Sequence, residues 1–584
     1  MQSTRRRWRD GLLALALATL AVVARAGEVK VALEAPDEVA PLLKQHVRLL
    51  NMAPDSFPDA APDRAALVRR ARAEISDLLA TEGYFSPTVR IDRDDATRWK
   101  LIVTPGERVT VTAVDISFVG DIATDAGQEA RRDGLRAGWK LPLKAPFRQA
   151  DWDDAKNALL DALRGERYPA AKLTTTRADI DSDAAAARLT VAIDSGPAFR
   201  LGKLEVSGLE TLPVDFVARF NTLNEGDYYK RGDLLKFQEA LQGAPQFSVV
   251  VVSVDPDPAQ AAAAPVRVTV REAQPQRLGF GLGASSNTGY RIETSYRHVN
   301  LFSRGWELSS GLRLEQRRQS LYTDLFLPPQ HDARIRDSVG VGFERSDLEG
   351  LKIHTEAIGV ARAHRHDNIE SQLTARVQHE TIEPDGAERS SYDTLTLNWV
   401  WIQRAVDEVL DPRNGYVLEV QLGGGIGLSS QAKNFGRVYG RYQHYFAFGA
   451  ANANVLSLRA EGGITIAETR AGIPQDFLFR AGGTQSVRGF AYRSLGVEEG
   501  SAIVGGRYLV TGSVEYVRWV KPTMGLALFV DSGNANDDRE LFTYKTGFGL
   551  GGRWMSPAGP LAVDIAWGRH ERRPRLHFGV AVAF

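Results

Sequence analysis

Residues 291–298 read R-I-E-T-S-Y-R-H, and this stretch decides the fold. Strand side chains alternate between two faces. Arg291, Glu293, Ser295 and Arg297 therefore point one way, and Ile292, Thr294, Tyr296 and His298 the other. The same beat returns in L-S-S-G-L-R-L (308–314) and in V-L-S-L-R-A-E-G-G-I-T-I (455–466). A charge at every second position has no place in the dry core of a soluble sandwich, but it suits the polar lumen of a transmembrane barrel.

Working outward, residues 275–584 hold 39 of the 54 glycines and 33 of the 50 aromatic residues. Glycine serves turns and crowded strand crossings, while Tyr, Trp and Phe form belts at both membrane interfaces. Alternating segments bounded by turn signals begin near residues 277, 289, 305, 319, 333, 352, 369, 391, 415, 434, 452, 506, 523, 543, 560 and 574. That predicts a sixteen-stranded antiparallel transmembrane β-barrel, with the even number that a closed bacterial barrel needs. The stretch between about 467 and 505 stands out as one long loop, and connections of that length are functional or disordered.

Average composition conceals the barrel. The 584 residues carry 72 Lys and Arg against 72 Asp and Glu, with 43% hydrophobic and 25% charged residues, as an ordinary soluble chain does. Zero net charge argues against nucleic acid held by bulk electrostatics. Zero Cys excludes disulfides, thiolate zinc sites, iron–sulfur clusters and cysteine nucleophiles. Arg5, Arg6, Arg7 and Arg9 precede an apolar run from Gly11 to Ala24, and Ala24-Arg25-Ala26 supplies the small-x-small pattern of signal peptidase. Residues 1–26 therefore read as a secretory signal peptide, leaving 67 basic and 71 acidic groups, a net of −4. No later run reaches ~18 apolar residues. An exported chain of this kind enters a membrane as a barrel, which satisfies its backbone polar groups internally.

Residues 28–272 form a weak threefold repeat with a spacing of ~80–90 residues, the mark of repeated structural units. In the first unit, helix Asp63–Ala80 carries Leu67, Ala71, Ile75, Leu78 and Leu79 on one stripe. Tyr84-Phe85 and strands Thr88–Asp92 and Trp99–Thr104 follow. The second unit has helix Asp151–Arg164, Tyr168 and strands Lys172–Thr176 and Arg188–Ile193. The third has helix Arg231–Gln242, Phe247 and strands Ser248–Val254 and Val266–Arg271. Thr112–Val119 and Gly202–Ser207 read as opening strands of the second and third units.

The long loop contains F-R-A-G-G-T-Q-S-V-R-G-F at 479–490. Tucked into a lumen, Arg488 would sit in a confined, low-dielectric space where an unpaired charge is costly. It needs fixed carboxylates, and Arg suits bidentate pairing better than Lys. Asp531 is the leading candidate and Glu515 the second, both on strands that follow the loop. Gly489 would let the backbone turn, and Phe490 would anchor it on apolar wall.

Val487-Arg488-Gly489-Phe490 resembles the VRG[F/Y] motif of the BamA/TamA superfamily of outer-membrane assembly and secretion barrels. Gly506-Arg507-Tyr508-Leu509 with Glu515-Tyr516 resembles its strand-twelve motif, and Phe529-Val530-Asp531-Ser532-Gly533 its F-x-D-x-G strand. The terminal His577–Phe584 stretch resembles the β-signal of outer-membrane barrels. The three repeats look like POTRA domains. The resemblance implies signal peptide 1–26, POTRA domains at 27–107, 108–197 and 198–273 in the periplasm, and an outer-membrane barrel at 274–584. It also implies an inward loop whose Arg488 is pinned to the strand wall as a brace.

Within that superfamily, three repeats and this length look most like the TamA branch. The resemblance then implies insertion or translocation of unfolded outer-membrane clients of autotransporter type, with a TamB-like inner-membrane-anchored partner and without bond-making chemistry. The alternative is a two-partner-secretion-type pore that exports one dedicated protein. Closure must join the first strand to the last. Gly279, Gly281 and Gly283 around Phe280 would weaken pairing there or merely relieve crowding, opposite Phe578, Gly579 and Phe584. An open seam would template an incoming strand, as would the edge strand Ser248–Val254.

Other signals carry less. Gly547-x-Gly549-x-x-Gly552 lacks a following helix and reads as strand glycines rather than a dinucleotide site. His364 and His366 have no third ligand in the pattern. No G-x-S-x-G occurs. We therefore assign no catalytic residue, cofactor or metal.

Overall fold

The computed structural model of the protein describes residues 29–53, 56–58, 60–93, 98–330, 332–557, 559–569, 571 and 573–583. The signal-peptide reading of 1–26 and the terminal Phe584 lie outside the described residues. Alternation builds the first of three small sheets. On strand Arg98–Thr104, Trp99, Leu101 and Val103 are buried while Arg98 and Thr104 are exposed. Helix Ala61–Thr81 carries Pro62 in its first turn, where a missing N–H is harmless, and buries Ala71, Ile75 and Leu79 at four-residue spacing. Lys30–Glu34 lies parallel to Arg98–Thr104, and Thr88–Arg93 runs antiparallel on its other side. Sequence patterning does not single out Lys30–Glu34, a five-residue strand with no buried side chain.

The same order recurs twice. In the second sheet Ala186–Asp194 lies between Thr110–Val119 and Lys172–Asp181, and in the third Ala264–Glu272 lies between Leu201–Ser207 and Phe247–Val254. Each module thus leaves its middle strand at an edge. The second core packs Trp152, Ala155, Leu159 and Leu163 of helix Gln149–Arg164 against Leu189, Val191 and Ile193. Burying each such Leu, Ile or Val is worth roughly 1.5–3 kcal/mol. The chain divides into two compact units, one containing the first two modules and the other most of the third module with the barrel. Within the latter, Gln246 Nε2 donates to the Gly305 carbonyl at 2.8 Å and Asn300 Nδ2 to Thr211 Oγ1 at 2.8 Å.

Among the described residues, sixteen antiparallel strands between Gln276 and Ala583 close into a barrel. Every strand starts within two residues of the position that alternation indicates. On the first strand, Gln276–Ser285, the side chains of Leu278, Phe280 and Leu282 are more than half exposed on the outer face. Gly279, Gly281 and Gly283 consequently line the lumen. Inside, lumen-facing charges pair across neighbouring strands: Arg313 with Glu293 at 3.0 Å, Arg318 with Glu344 at 2.6 Å and Arg404 with Glu370 at 2.8 Å. No helix among the described residues is long and apolar enough to cross a membrane.

Candidate functional site

The connection between the eleventh strand, Asn454–Ile466, and the twelfth, Tyr508–Lys521, folds back into the lumen. It has internal structure: a short helical turn at Gln475–Phe477, a hairpin of Val497–Glu499 with Ala502–Val504, and an antiparallel bridge from Ala481 to Leu495. Its root is held on the wall by Glu380 of strand Ile369–Pro384, which accepts from the Gln475 N–H at 2.8 Å and the Tyr392 hydroxyl at 2.9 Å. Its tip carries Arg488. Val487 and Phe490 are buried with Phe479, Leu495 and Leu509, which fixes the tip by packing.

Arg488 is 5% exposed and Asp531 fully buried. Nε and Nη2 of Arg488 donate to the two oxygens of Asp531 at 2.7 and 2.9 Å, the bidentate pairing that a guanidinium favours. The Arg488 N–H donates to the same carboxylate at 3.0 Å, and Ser513 Oγ at 2.6 Å. Nη1 reaches Glu515 at 2.6 Å and Asp564 at 3.1 Å. The guanidinium carbon stacks 3.4 Å from the centre of the Phe529 ring. Arg553 closes the network, donating to Glu515 at 2.8 Å and to Asp564. Two guanidinium groups and three carboxylates, all largely buried, thus satisfy one another, the condition under which buried charge is tolerated. Nothing here is arranged as a nucleophile with a base; the network is built to hold.

The structure brings Arg488, Asp531 and Glu515 together, and it adds Asp564, Arg553 and His577, which sequence reasoning missed. It also shows what the glycines at 547, 549 and 551 are for. All three face the lumen on strand Lys545–Ser556. A Cβ on Gly547 would fall 1.8 Å from the Arg488 carbonyl, and one on Gly551 1.8 Å from the Asp564 carboxylate. One on Gly549 would meet the Phe529 ring at 2.6 Å. The glycine stripe is the seat of the brace. Gly489, with φ near +95°, takes a backbone conformation that L side chains rarely adopt. Its N–H donates to Nε2 of His577 at 2.9 Å, on the terminal strand Arg575–Ala583.

The seam that closes the barrel pairs five described residues, from Gly281 with Ala583 to Ser285 with Gly579. Ser286 N–H extends it to the Phe578 carbonyl at 3.0 Å. Gly281, Gly283, Phe578 and Gly579 therefore lie in it. Gly279 and Phe280 pair, among the described residues, only with Ser295 and Thr294 of the second strand. His364 and His366 stand 6.5 Å apart with no third ligand among the described residues.

Residues 275–584 match the Omp85 superfamily domain. The chain belongs to the Omp85 superfamily. A stretch of 128 residues is 31% identical to the outer membrane protein assembly factor BamA of Nitratidesulfovibrio vulgaris, covering 20% of this chain and 16% of that protein's own length. The fold is similar to that of BamA from Haemophilus ducreyi lacking POTRA domains 1-3, with a TM-score of 0.70, 15% identity, and coverage of 81% of this chain and 100% of that one. This Omp85 barrel lies in the bacterial outer membrane, and its N-terminal POTRA modules lie in the periplasm. The seam of the Omp85 domain and the loop seated on its last strands are thus features of one membrane-embedded body.

Proposed function

We propose that this protein inserts or translocates unfolded outer-membrane proteins by pairing their strands at the barrel seam, with the Arg488 loop setting whether the seam is closed. The observation that carries this reading is the five-residue seam, whose lumen face bears glycine at 281 and 283. A strand parted from its neighbour presents unsatisfied N–H and C=O groups, and an extended client segment satisfies them by adding to the sheet. The edge strand Phe247–Val254 of the third module, with Val249 and Val251 exposed, offers a second template. The domain limits that go with this reading are signal peptide 1–26, POTRA modules 27–107, 108–197 and 198–273, and barrel 274–584. Its partner is a TamB-like inner-membrane-anchored protein, the resemblance to the TamA branch being the support.

The test locks the seam. Ser286 and Phe578 form a hydrogen-bonded pair, so Ser285 and Gly579 beside them face each other as the closer, non-hydrogen-bonded kind. A Cβ on Gly579 meets no atom within 4 Å. Ser285→Cys with Gly579→Cys in this cysteine-free chain is expected to abolish client insertion when oxidised and to restore it with reductant. Full insertion by the oxidised form rules the seam out. Co-purification with a TamB-like protein, rather than with one exported protein, separates an assembly factor from a two-partner-secretion-type pore.

A further inference from the structure

The loop tip touches both sides of the seam. On one side Asn287 Nδ2, in the hairpin that follows the first strand, donates to Thr484 Oγ1 at 3.0 Å. On the other the Gly489 N–H donates to Nε2 of His577 at 2.9 Å. The terminal strand has few other ties: five described pairs to the first strand and five to the fifteenth, Gly559–Gly568. Residues 484–489 therefore lie across the seam as a clip, and one jaw grips a titratable side chain.

That jaw closes in one protonation state. A backbone N–H needs an acceptor lone pair, and Nε2 has one only when the imidazole is neutral with its proton on Nδ1. His577 is 4% exposed, so no water freely replaces the contact. Charged groups face it from every element around it. Asp564 lies opposite it in register on the fifteenth strand, Arg575 is on its own strand, Arg488 comes from the loop and Asp531 from the thirteenth strand. Arg553, from the fourteenth, pairs with Asp564. Glu515 completes the set, so three carboxylates stand against the three guanidinium groups of Arg488, Arg553 and Arg575, and an imidazolium is held there only by turning to Asp564.

We infer that His577 is a positioning residue that joins the brace to the terminal strand, and that its protonation opens the clip. The inference rests on the seam reading above and concerns its regulation. A proton on Nε2 sets N–H against N–H at Gly489, and the imidazolium turns to Asp564. Asp564 is then shared, which weakens its bond to Arg488. The terminal strand is left with its ladder pairs alone, and the seam parts under mild acid.

Spin labels on Tyr290→Cys and Leu576→Cys flank the seam in the full chain, at side chains 72% and 53% exposed. Distances are read by pulsed electron resonance in bilayers at pH 7.5 and 5.5. Those two units change the imidazolium-to-imidazole ratio about a hundredfold while staying above the ordinary carboxylate range. The parent chain is expected to show one short distance at pH 7.5 and a second, longer population at pH 5.5. His577→Gln, which keeps an acceptor and cannot be protonated, stays short at both. His577→Phe, which has no acceptor, shows the longer population at both. A parent distance indifferent to pH, or an H577Q profile that follows the parent, overturns the clip. If neither H577F nor Arg488→Ala shows the longer distance at either pH, the seam reading falls with it.

Discussion

The seam and the wall formed by the sixth and seventh strands are both antiparallel strand pairs, yet they are built to opposite ends. Leu351–His366 and Ile369–Pro384 pair residue for residue over sixteen positions. Gln276–Ser285 and Arg575–Ala583 pair over five described positions, with glycine where the wall carries side chains. Each missing ladder pair removes a cross-strand contact worth roughly 0.2–1 kcal/mol. What the ladder lacks is supplied from the lumen by a loop that packs, pairs its charge and clips both edges. A barrel made this way separates strength from closure. On the proposed reading the wall keeps the fold while the seam answers to the network around Arg488.

The comparison breaks most severely if Arg488 goes. Arg488→Ala leaves Asp531 buried without its bidentate cation, while Asp564 keeps Arg553, and breaking a buried pair by removing one partner costs about 3–5 kcal/mol. The loss falls on the loop and the seam, not on the wall. Protease cleavage within 480–495 should rise while the boiled-versus-unboiled gel shift of the barrel persists. Arg488→Lys keeps the charge but not the bidentate fork, and is expected to lie between the two. Loss of the gel shift in R488A would mean that the wall depends on the brace after all.

A smaller effect, with no charge involved, is expected at Gly547. Alanine there meets the Arg488 carbonyl at 1.8 Å, so the loop backbone must lift from the fourteenth strand. Overpacking of this kind costs about 1–3 kcal/mol. Gly547→Ala should therefore reproduce the cleavage of R488A in weaker form. Gly552 has nothing within 4 Å of its would-be Cβ, so Gly552→Ala should leave cleavage unchanged. Equal behaviour of the two alanines would remove the seat.

These residues mark where sequence reading stops. The barrel was legible because alternation is local: R-I-E-T-S-Y-R-H announces its two faces without knowing its neighbours. Arg488 with Asp531 and Glu515 was legible because a confined charge demands partners and the next two strands supply carboxylates. Asp564 was not, since an acid on an alternating strand looks the same whether it meets solvent in the lumen or the tip of a loop. Arg553 follows a run of glycines that resembles a degenerate nucleotide motif. The use of those glycines, room for a carbonyl, a ring and a carboxylate, exists only once four strands and a loop are brought together. His577 is one letter of an alternating terminal strand; its role depends on which backbone N–H faces it.

The smallest effect concerns how the seam is approached. Glu272 ends the central strand of the third module, four residues before the barrel begins. Its carboxylate accepts from the N–H groups of Glu210, Thr211 and Leu212, each at 2.9 Å, and from the Thr211 hydroxyl. Thr211 in turn accepts from Asn300 of the second strand at 2.8 Å, so the stem of the seam's first edge hangs on this group. Partial burial pushes the Glu272 carboxyl up, but the hydroxyl and the three N–H groups outweigh it and hold it below the ordinary range. A group lowered in the folded state stabilises fully above its unfolded value, and that contribution is lost as pH falls through the lower folded value. Glu272→Gln is expected to cost about 1 kcal/mol at pH 7, since the site is half-exposed and screened. Hydrogen exchange of residues 208–214 should be faster in E272Q than in the parent at pH 7, with the difference closing as pH falls below the ordinary carboxylate range. A difference that persists undiminished as the pH is lowered through and below that range would assign the loss to shape rather than to the carboxylate's charge.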